Sequence, residues 1–323
     1  MKYVKWYLVL LFFISGSLFS QKNDTSAIAE KTENYISLRY DNDFFNATDM
    51  YYTQGVSLSL IHPIVRYSPL SYALIKFRSG NLNYYGLNIE QDCFTPRSIR
   101  YDTINYKERP YAAIFYVSHY LTSINSLKKE LLRTQLDLGV IGPCAKCEEE
   151  QKAIHRALVN IQPLGWENQI KSDYIINYKL QFEKGIINKE HVELMWNSTA
   201  RLGTVYTDLG IGLNARMGFF SPYFNNLGLE KHNTKHKFKL YGVFKLNTKL
   251  VGYNATMQGG LFNKTSVLKV PDDQINRVAV DGLAGVIIAY KRVSLEYSKT
   301  FITPEFNGGL YHGWGQCLIR VCF

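Results

Sequence analysis

The stretch Tyr35-Ile36-Ser37-Leu38-Arg39-Tyr40-Asp41-Asn42-Asp43-Phe44 alternates apolar Ile36, Leu38 and Tyr40 with polar Ser37, Arg39 and Asp41. Successive strand side chains point to opposite faces, so this segment reads as a strand with one greasy face and one charged face. Working outward, comparable segments of about ten residues recur along the chain. They are Tyr51–Ile61, Tyr84–Phe94, Tyr111–Leu121, Leu131–Val140, Ile175–Phe182, His191–Thr199, Tyr206–Met217, Lys237–Val251, Arg277–Tyr290, Val293–Thr303 and Trp314–Phe323. The total is about twelve, an even number as in single-chain bacterial outer-membrane barrels. Asn254–Phe262 would make an odd total and put the chain ends on opposite sides of a membrane, so it is assigned to a long outer loop running to Asn276. The fold class is therefore all-β: a transmembrane antiparallel up-and-down β-barrel. A soluble β-sandwich or lipocalin-like barrel is the alternative.

The first residues set the compartment. Lys2 and Lys5 precede the apolar run Trp6–Ile14, and small residues follow in Ser15-Gly16-Ser17. A basic head, an apolar middle and a small-residue region make a secretory signal peptide, expected to be cleaved after Ser20. The run is too short for a bilayer-spanning helix, which needs about 20 residues. Residues 1–20 are thus read as signal peptide and 21–323 as the barrel. The 24 tyrosines against 4 tryptophans suit the aromatic girdles of a barrel. A net charge of +10 suits an anionic partner. Nucleic acid fits that charge but not export; the phosphorylated glycolipid of the outer leaflet fits both. The final Phe323, closing a strand, looks like an assembly signal of outer-membrane barrels.

One segment breaks the period of two. Cys147–Asn160 places Ala153, Ile154, Ala157 and Leu158 at helical spacing, and Pro163 and Gly165 close it. With residue 35 at the periplasmic side, strands one, three and five end outside, so this helix sits at the extracellular rim. The five cysteines are read as incidental, with Cys144–Cys147 a candidate loop staple. Cys317 and Cys322 lie an odd number of residues apart and would face opposite sides of one strand.

The same parity gathers polar residues at one rim: Asp41, Asn42 and Asp43, then Thr53, Asp92, Thr95, Glu108 and Arg109. Gln151 and His155 share a helix face, being four apart. An imidazole titrates near neutrality and is the natural general base. Gln151 could orient a water or donate to an oxyanion. Asp43 or Asp41, with Asn42, could hold a hard cation such as calcium (Ca2+). No serine or cysteine is evidently paired with His155, which favours direct attack by water.

These residues carry a resemblance. Tyr40-Asp41-Asn42-Asp43-Phe44-Phe45, Thr48-Asp49-Met50-Tyr51-Tyr52-Thr53-Gln54-Gly55 and Glu108-Arg109-Pro110-Tyr111-Ala112 look like motifs of the lipid A 3′-O-deacylase (LpxR-type) outer-membrane family. The most specific match is Leu138-Gly139-Val140-Ile141-Gly142-Pro143 followed by Gln151 and His155, continued by Gly165-Trp166-Glu167-Asn168-Gln169 and Thr303-Pro304-Glu305-Phe306-Asn307-Gly308. The resemblance implies a twelve-stranded barrel with its active site between the outer wall and a loop helix. It implies His155 as base, Gln151, Asn42, Asp43 and Thr53 completing the site, a calcium requirement, and hydrolysis of the 3′-linked acyloxyacyl ester of lipid A. The partners are then lipopolysaccharide and the outer membrane, with the protein a monomer whose site faces outside.

The chain departs from that pattern where some members carry a Lys-Arg pair after the third strand; here stand Tyr101-Asp102. Arg97, Arg100 and Arg109 are the candidates for meeting substrate phosphate instead. Ala113 and Gln54 also differ from common family residues. Two other functions stay open. An outer-membrane phospholipase would need a serine nucleophile in a His-x-Ser-Asn-Gly type motif, which the sequence lacks. A porin or a surface-binding barrel would need none of this chemistry.

Overall fold

The computed structural model describes residues 34–46, 48–78, 82–228 and 237–323, so the expected leader and its cleavage point lie outside the described residues. Twelve strands follow one another: β1 (Tyr35–Asn42), β2 (Tyr51–Ile61), β3 (Leu82–Thr95), β4 (Ala112–Asn125), β5 (Glu130–Ile141), β6 (Asp173–Asn188), β7 (Val192–Gly203), β8 (Tyr206–Phe219), β9 (Phe238–Asn254), β10 (Val278–Tyr290), β11 (Val293–Ile302) and β12 (His312–Cys322). Each pairs antiparallel with its sequence neighbours, and β1 closes the barrel on β12 in the register Tyr35↔Cys322 to Asn42↔Gly315. Closure leaves no sheet edge, the condition for a strand protein in hydrocarbon. Residues 255–276 form no further strand; after β9 comes a helical turn, Ala255–Gln258.

The alternation read in β1 is physical. Ile36, Leu38 and Tyr40 are exposed on the outer face, whereas Ser37 and Asp41 are buried inside. The outer face elsewhere is similarly apolar, with Ile211, Phe244, Leu246 and Phe301 more than half exposed. Inside, charges are paired: Arg39 lies 3.1 Å from Asp41 and 2.9 Å from Glu90, Arg216 lies 2.6 Å from Glu193, and Arg201 pairs with Asp208. Such pairing is the condition for burying charge. One end of the lumen is packed by Tyr35, Ile61, Tyr84, Tyr120, Ile124 and Leu131.

Strand β1 ends at Asn42, short of the expected Phe44. The Asn42 carboxamide oxygen accepts from the Phe44 amide at 2.7 Å, and a 3-10 turn, Asp43–Asn46, begins there. An Asn side chain that bonds the backbone two residues on offers an alternative to the ladder. Most other strands run further than the period indicated, β6 reaching Asn188 rather than Phe182.

The loop helix is α1 (Cys147–Ala157). Glu148, Glu149 and Glu150 open it and His155 and Arg156 close it, matching the helix dipole. Its packed face is not the apolar one. Cys147, Gln151 and His155, spaced by four, are buried, while Leu158 just beyond is 67% exposed. The reason lies in the wall beneath, where Gln54, Gln91 and Cys93 point outward. Gln91 donates to the Ala145 carbonyl at 2.7 Å and Gln54 to Glu150 at 2.7 Å. The cysteine reading is corrected: Cys147 bonds to Cys93 on β3, with Cα atoms 5.7 Å apart, and Cys144 is a free, exposed thiol. Lys146, in the left-handed region at φ 67°, turns the chain between the two and leaves Cys144 facing Ser172.

Candidate active site

The site is assembled by the end of β1, the turn and loop to β2, and α1. A β-bulge decides its orientation. Tyr52 pairs with Phe94 and Gln54 with Cys93, so Thr53 is an extra residue in β2. A bulge re-aims neighbouring side chains. Here Tyr52 points into the lumen, donating to Asp41 or Asp92 at 2.9 Å, while Gln54 points outward to α1. Thr53 itself turns to the loop, its hydroxyl 2.9 Å from Asp49 and 3.4 Å from Asp43.

Two carboxylates therefore meet at one hydroxyl. Asp43 accepts from the Met50 amide at 2.6 Å. Burial pushes the Asp43 carboxyl up to about 8, and the neighbouring Asp49 charge adds to it. Asp49 is raised as well, again chiefly by burial. Among the described residues neither has a Lys or Arg partner. Its other contacts come from α1. Gln151 donates to Asp49 at 3.3 Å, and its oxygen accepts from the Trp166 indole at 2.8 Å. Because an indole can only donate, Trp166 fixes which end of the Gln151 amide faces Asp49. Trp166 is fully buried and packs on Tyr111 at 4.5 Å. His155 Nδ1 lies 2.5 Å from the Ile161 carbonyl, which can only accept, so Nδ1 carries a proton. Nε2 then faces Asp49 at 3.4 Å.

Asn42, on the outer face, lies beside Gln54 in register and donates to the Tyr40 hydroxyl at 3.0 Å. His155, Gln151, Thr53, Asp43 and Asn42 thus gather at one end of the outer wall. Asp41 does not join them. Strand alternation sends it through the wall to Arg39 and Tyr52, so its assignment as a cation ligand is corrected. Arg109 is also corrected. It is 1% exposed, lies on the Phe94 ring, and bonds Thr256 at 3.1 Å and Glu305 at 3.5 Å, so it ties loops together and presents no exposed charge. Arg97 and Arg100 are exposed on either side of Ile99, which packs with Cys93, Cys147 and Trp166. Asp49 was not singled out from sequence. Its signal is its place four residues before Thr53, in the quoted motif.

Among the described residues no cluster of three or more His, Cys, Asp or Glu has the arrangement of a metal site. Asp43, Asp49 and Thr53 nonetheless form an all-oxygen set, in which Asp43 is buried, Asp49 is half-buried and, among the described residues, neither carboxylate has a Lys or Arg partner. That chemistry fits a hard cation, which takes about six to eight oxygens and would complete its shell from water and substrate.

Fold and site together define an outer-membrane barrel whose polar site lies between a loop helix and its lipid-facing wall. The model of the family described as outer membrane protein LpxR matches residues 8–323, and the chain belongs to that family. At the level of the family, this is the class of outer-membrane lipid A deacylases. Among solved structures, LpxR from Salmonella typhimurium is similar with a TM-score of 0.73 at 20% identity, over 90% of this chain and 100% of that one. The β domain of the Bordetella autotransporter BrkA covers 90% of this chain and 98% of its own at 11% identity, with a TM-score of 0.45. A search of curated proteins found no match.

Proposed function

We propose that the chain hydrolyses the 3′-linked acyloxyacyl ester of lipid A in the outer leaflet, with the site facing outside and His155 as general base. The observation that carries this reading is the His155 ring. Its Nδ1 proton is committed to Ile161 and its Nε2 faces Asp49, which shares the Thr53 hydroxyl with Asp43 at the lipid-facing wall. Ile36, Leu38 and Tyr40 continue down that wall from Asn42, giving acyl chains an apolar path to the site.

His155 Nε2 takes a proton from water as the water oxygen adds to the ester carbonyl carbon. The tetrahedral intermediate collapses with cleavage of the bond to the sugar oxygen, which recovers the proton from His155. Asn42 and Gln151, whose amides are held by neighbours, would donate to the developing oxyanion. Asp49, 3.4 Å from Nε2, helps hold the ring's orientation. Calcium, held by Asp43, Asp49 and Thr53, would supply charge stabilisation for that oxyanion. Arg97 and Arg100 offer positive charge to a substrate phosphate.

The phospholipase reading needs a serine activated by histidine. Ser71 does lie 2.8 Å from His119, but at the other end of the wall. Its hydroxyl donates to the Val65 carbonyl at 3.2 Å, and among the described residues His119 Nδ1 has no hydrogen-bond partner. The imidazole therefore donates to the serine and activates nothing. Mass spectrometry of lipid A from cells expressing the wild type or His155→Ala tests the proposal. Loss of the 3′ acyloxyacyl group only with the wild type supports it, and equal loss with the variant overturns it.

A further inference from the structure

The connection from β2 to β3 takes no part in the site. It leaves the barrel at the end away from α1, then turns back across the outer face of β4, β5 and β6. Ser71 meets His119, Thr134 donates to the Ile75 carbonyl at 3.1 Å, and Tyr178 donates to the Ala73 carbonyl at 2.7 Å. Register places His119, Thr134 and Tyr178 on the outward face. Leu121, also outward, is 0% exposed beneath the segment. Two 3-10 turns, Pro63–Tyr67 and Pro69–Ala73, shape it, and the side chains of His62 and Ser68 cap them.

The face turned away from the barrel is both apolar and basic. Ile64 is 64% exposed, Tyr67 71%, Tyr72 83% and Ile75 52%. Arg66, Lys76 and Arg78 are exposed among them, and residues 62–81 contain no Asp or Glu. Irregular backbone does not sit uncovered in hydrocarbon, so a segment held against a lipid-facing wall belongs at the membrane interface. Tyrosines and cations are the side chains that suit that layer, the cations by attracting anionic headgroups.

We infer that residues 63–78 form a docking surface for anionic phospholipid headgroups. The phosphate meets Arg66, Lys76 and Arg78, and Ile64 and Ile75 contact the acyl chains. The leaflet is the one opposite the site; that it is the inner, phospholipid leaflet rests on the site facing outside, as proposed above.

The test uses the full folded barrel and no hydrolysis assay, so its failure would leave the reading of the site untouched. Native mass spectrometry with phosphatidylglycerol and phosphatidylethanolamine should show a preference of roughly tenfold or more for the former. The triple variant Arg66→Ala, Lys76→Ala, Arg78→Ala should lose it, and Arg66→Lys with Arg78→Lys should keep it. In a bilayer, emission added by Tyr72→Trp should be quenched by lipids brominated near the headgroup. Equal retention of both lipids by the wild type would overturn the inference. So would Tyr72→Trp emission quenched by aqueous iodide and not by brominated lipid.

Discussion

Two acidic clusters lie on opposite faces of the same wall, two residues apart in sequence. Inside, Asp41 and Glu90 share Arg39. Outside, among the described residues, Asp43 and Asp49 meet only neutral donors and, at Asp49, the His155 ring. Asp41 and Asp43 are both buried, so burial alone does not separate the clusters. The partner does. A buried carboxylate with a guanidinium is a satisfied structural element, whereas one without is costly unless something else neutralises it. The outer cluster keeps that cost and places it beside an imidazole, which is how reactive sites differ from lumenal packing.

The comparison breaks most sharply at His155. His155→Ala should lower deacylation by about 10²–10⁴-fold, the usual contribution of a general base, with heat-modifiable gel mobility unchanged. An unaltered rate would sink the assignment. Next are the carboxylates. Asp43→Asn or Asp49→Asn should abolish the activation by calcium that chelation of the wild type reveals. Asp41→Asn should leave the calcium titration midpoint within a few-fold of wild type, because Asp41 lies across the wall. If all three variants shift that midpoint equally, the two clusters are one unit and the contrast fails. A smaller effect is expected from joint replacement of Cys93 and Cys147 by serine. The bond anchors the first turn of α1, with Gln91 and Gln54 as remaining contacts. Turnover should fall about tenfold or less, and limited proteolysis should reach residues 147–160 while the barrel resists. The smallest change belongs to Arg97→Ala with Arg100→Ala, which should raise KM up to about fivefold per residue and spare kcat, as for exposed charges worth up to about 1 kcal/mol each.

How much of this was legible in the chain depends on the range of the interaction. The period of two is local, so all twelve strands could be read, and with them the helix that interrupts the pattern. Strand and helix order bring His155, Gln151, Asn42, Asp43 and Thr53 to one rim, and the roles read for them come from the resemblance. The failures are of longer range. Cys147 pairs with a residue 54 positions earlier, and no spacing rule selects Cys93 over Cys144. Arg109 sits among polar residues that suggest exposure, yet Phe94, Thr256 and Glu305 enclose it. Asp41 was miscounted because local polarity does not reveal that strand β1 gives way to a turn just after it. Asp49 gains its role only when α1 folds down onto it. The apolar positions that revealed the helix lie on its exposed side, so they gave its existence but not its packing.

The single additional residue at Thr53 has a further consequence. A sheet two side chains deep normally obliges each position to serve one compartment, and a site built on it must compete with the interior for the same strand. By breaking the count once, the chain gives Tyr52 to the lumen and Gln54 to the outer face. Grafting this proposed site onto another cylinder would therefore require copying an insertion as well as side chains, and trimming it would scramble both compartments at once.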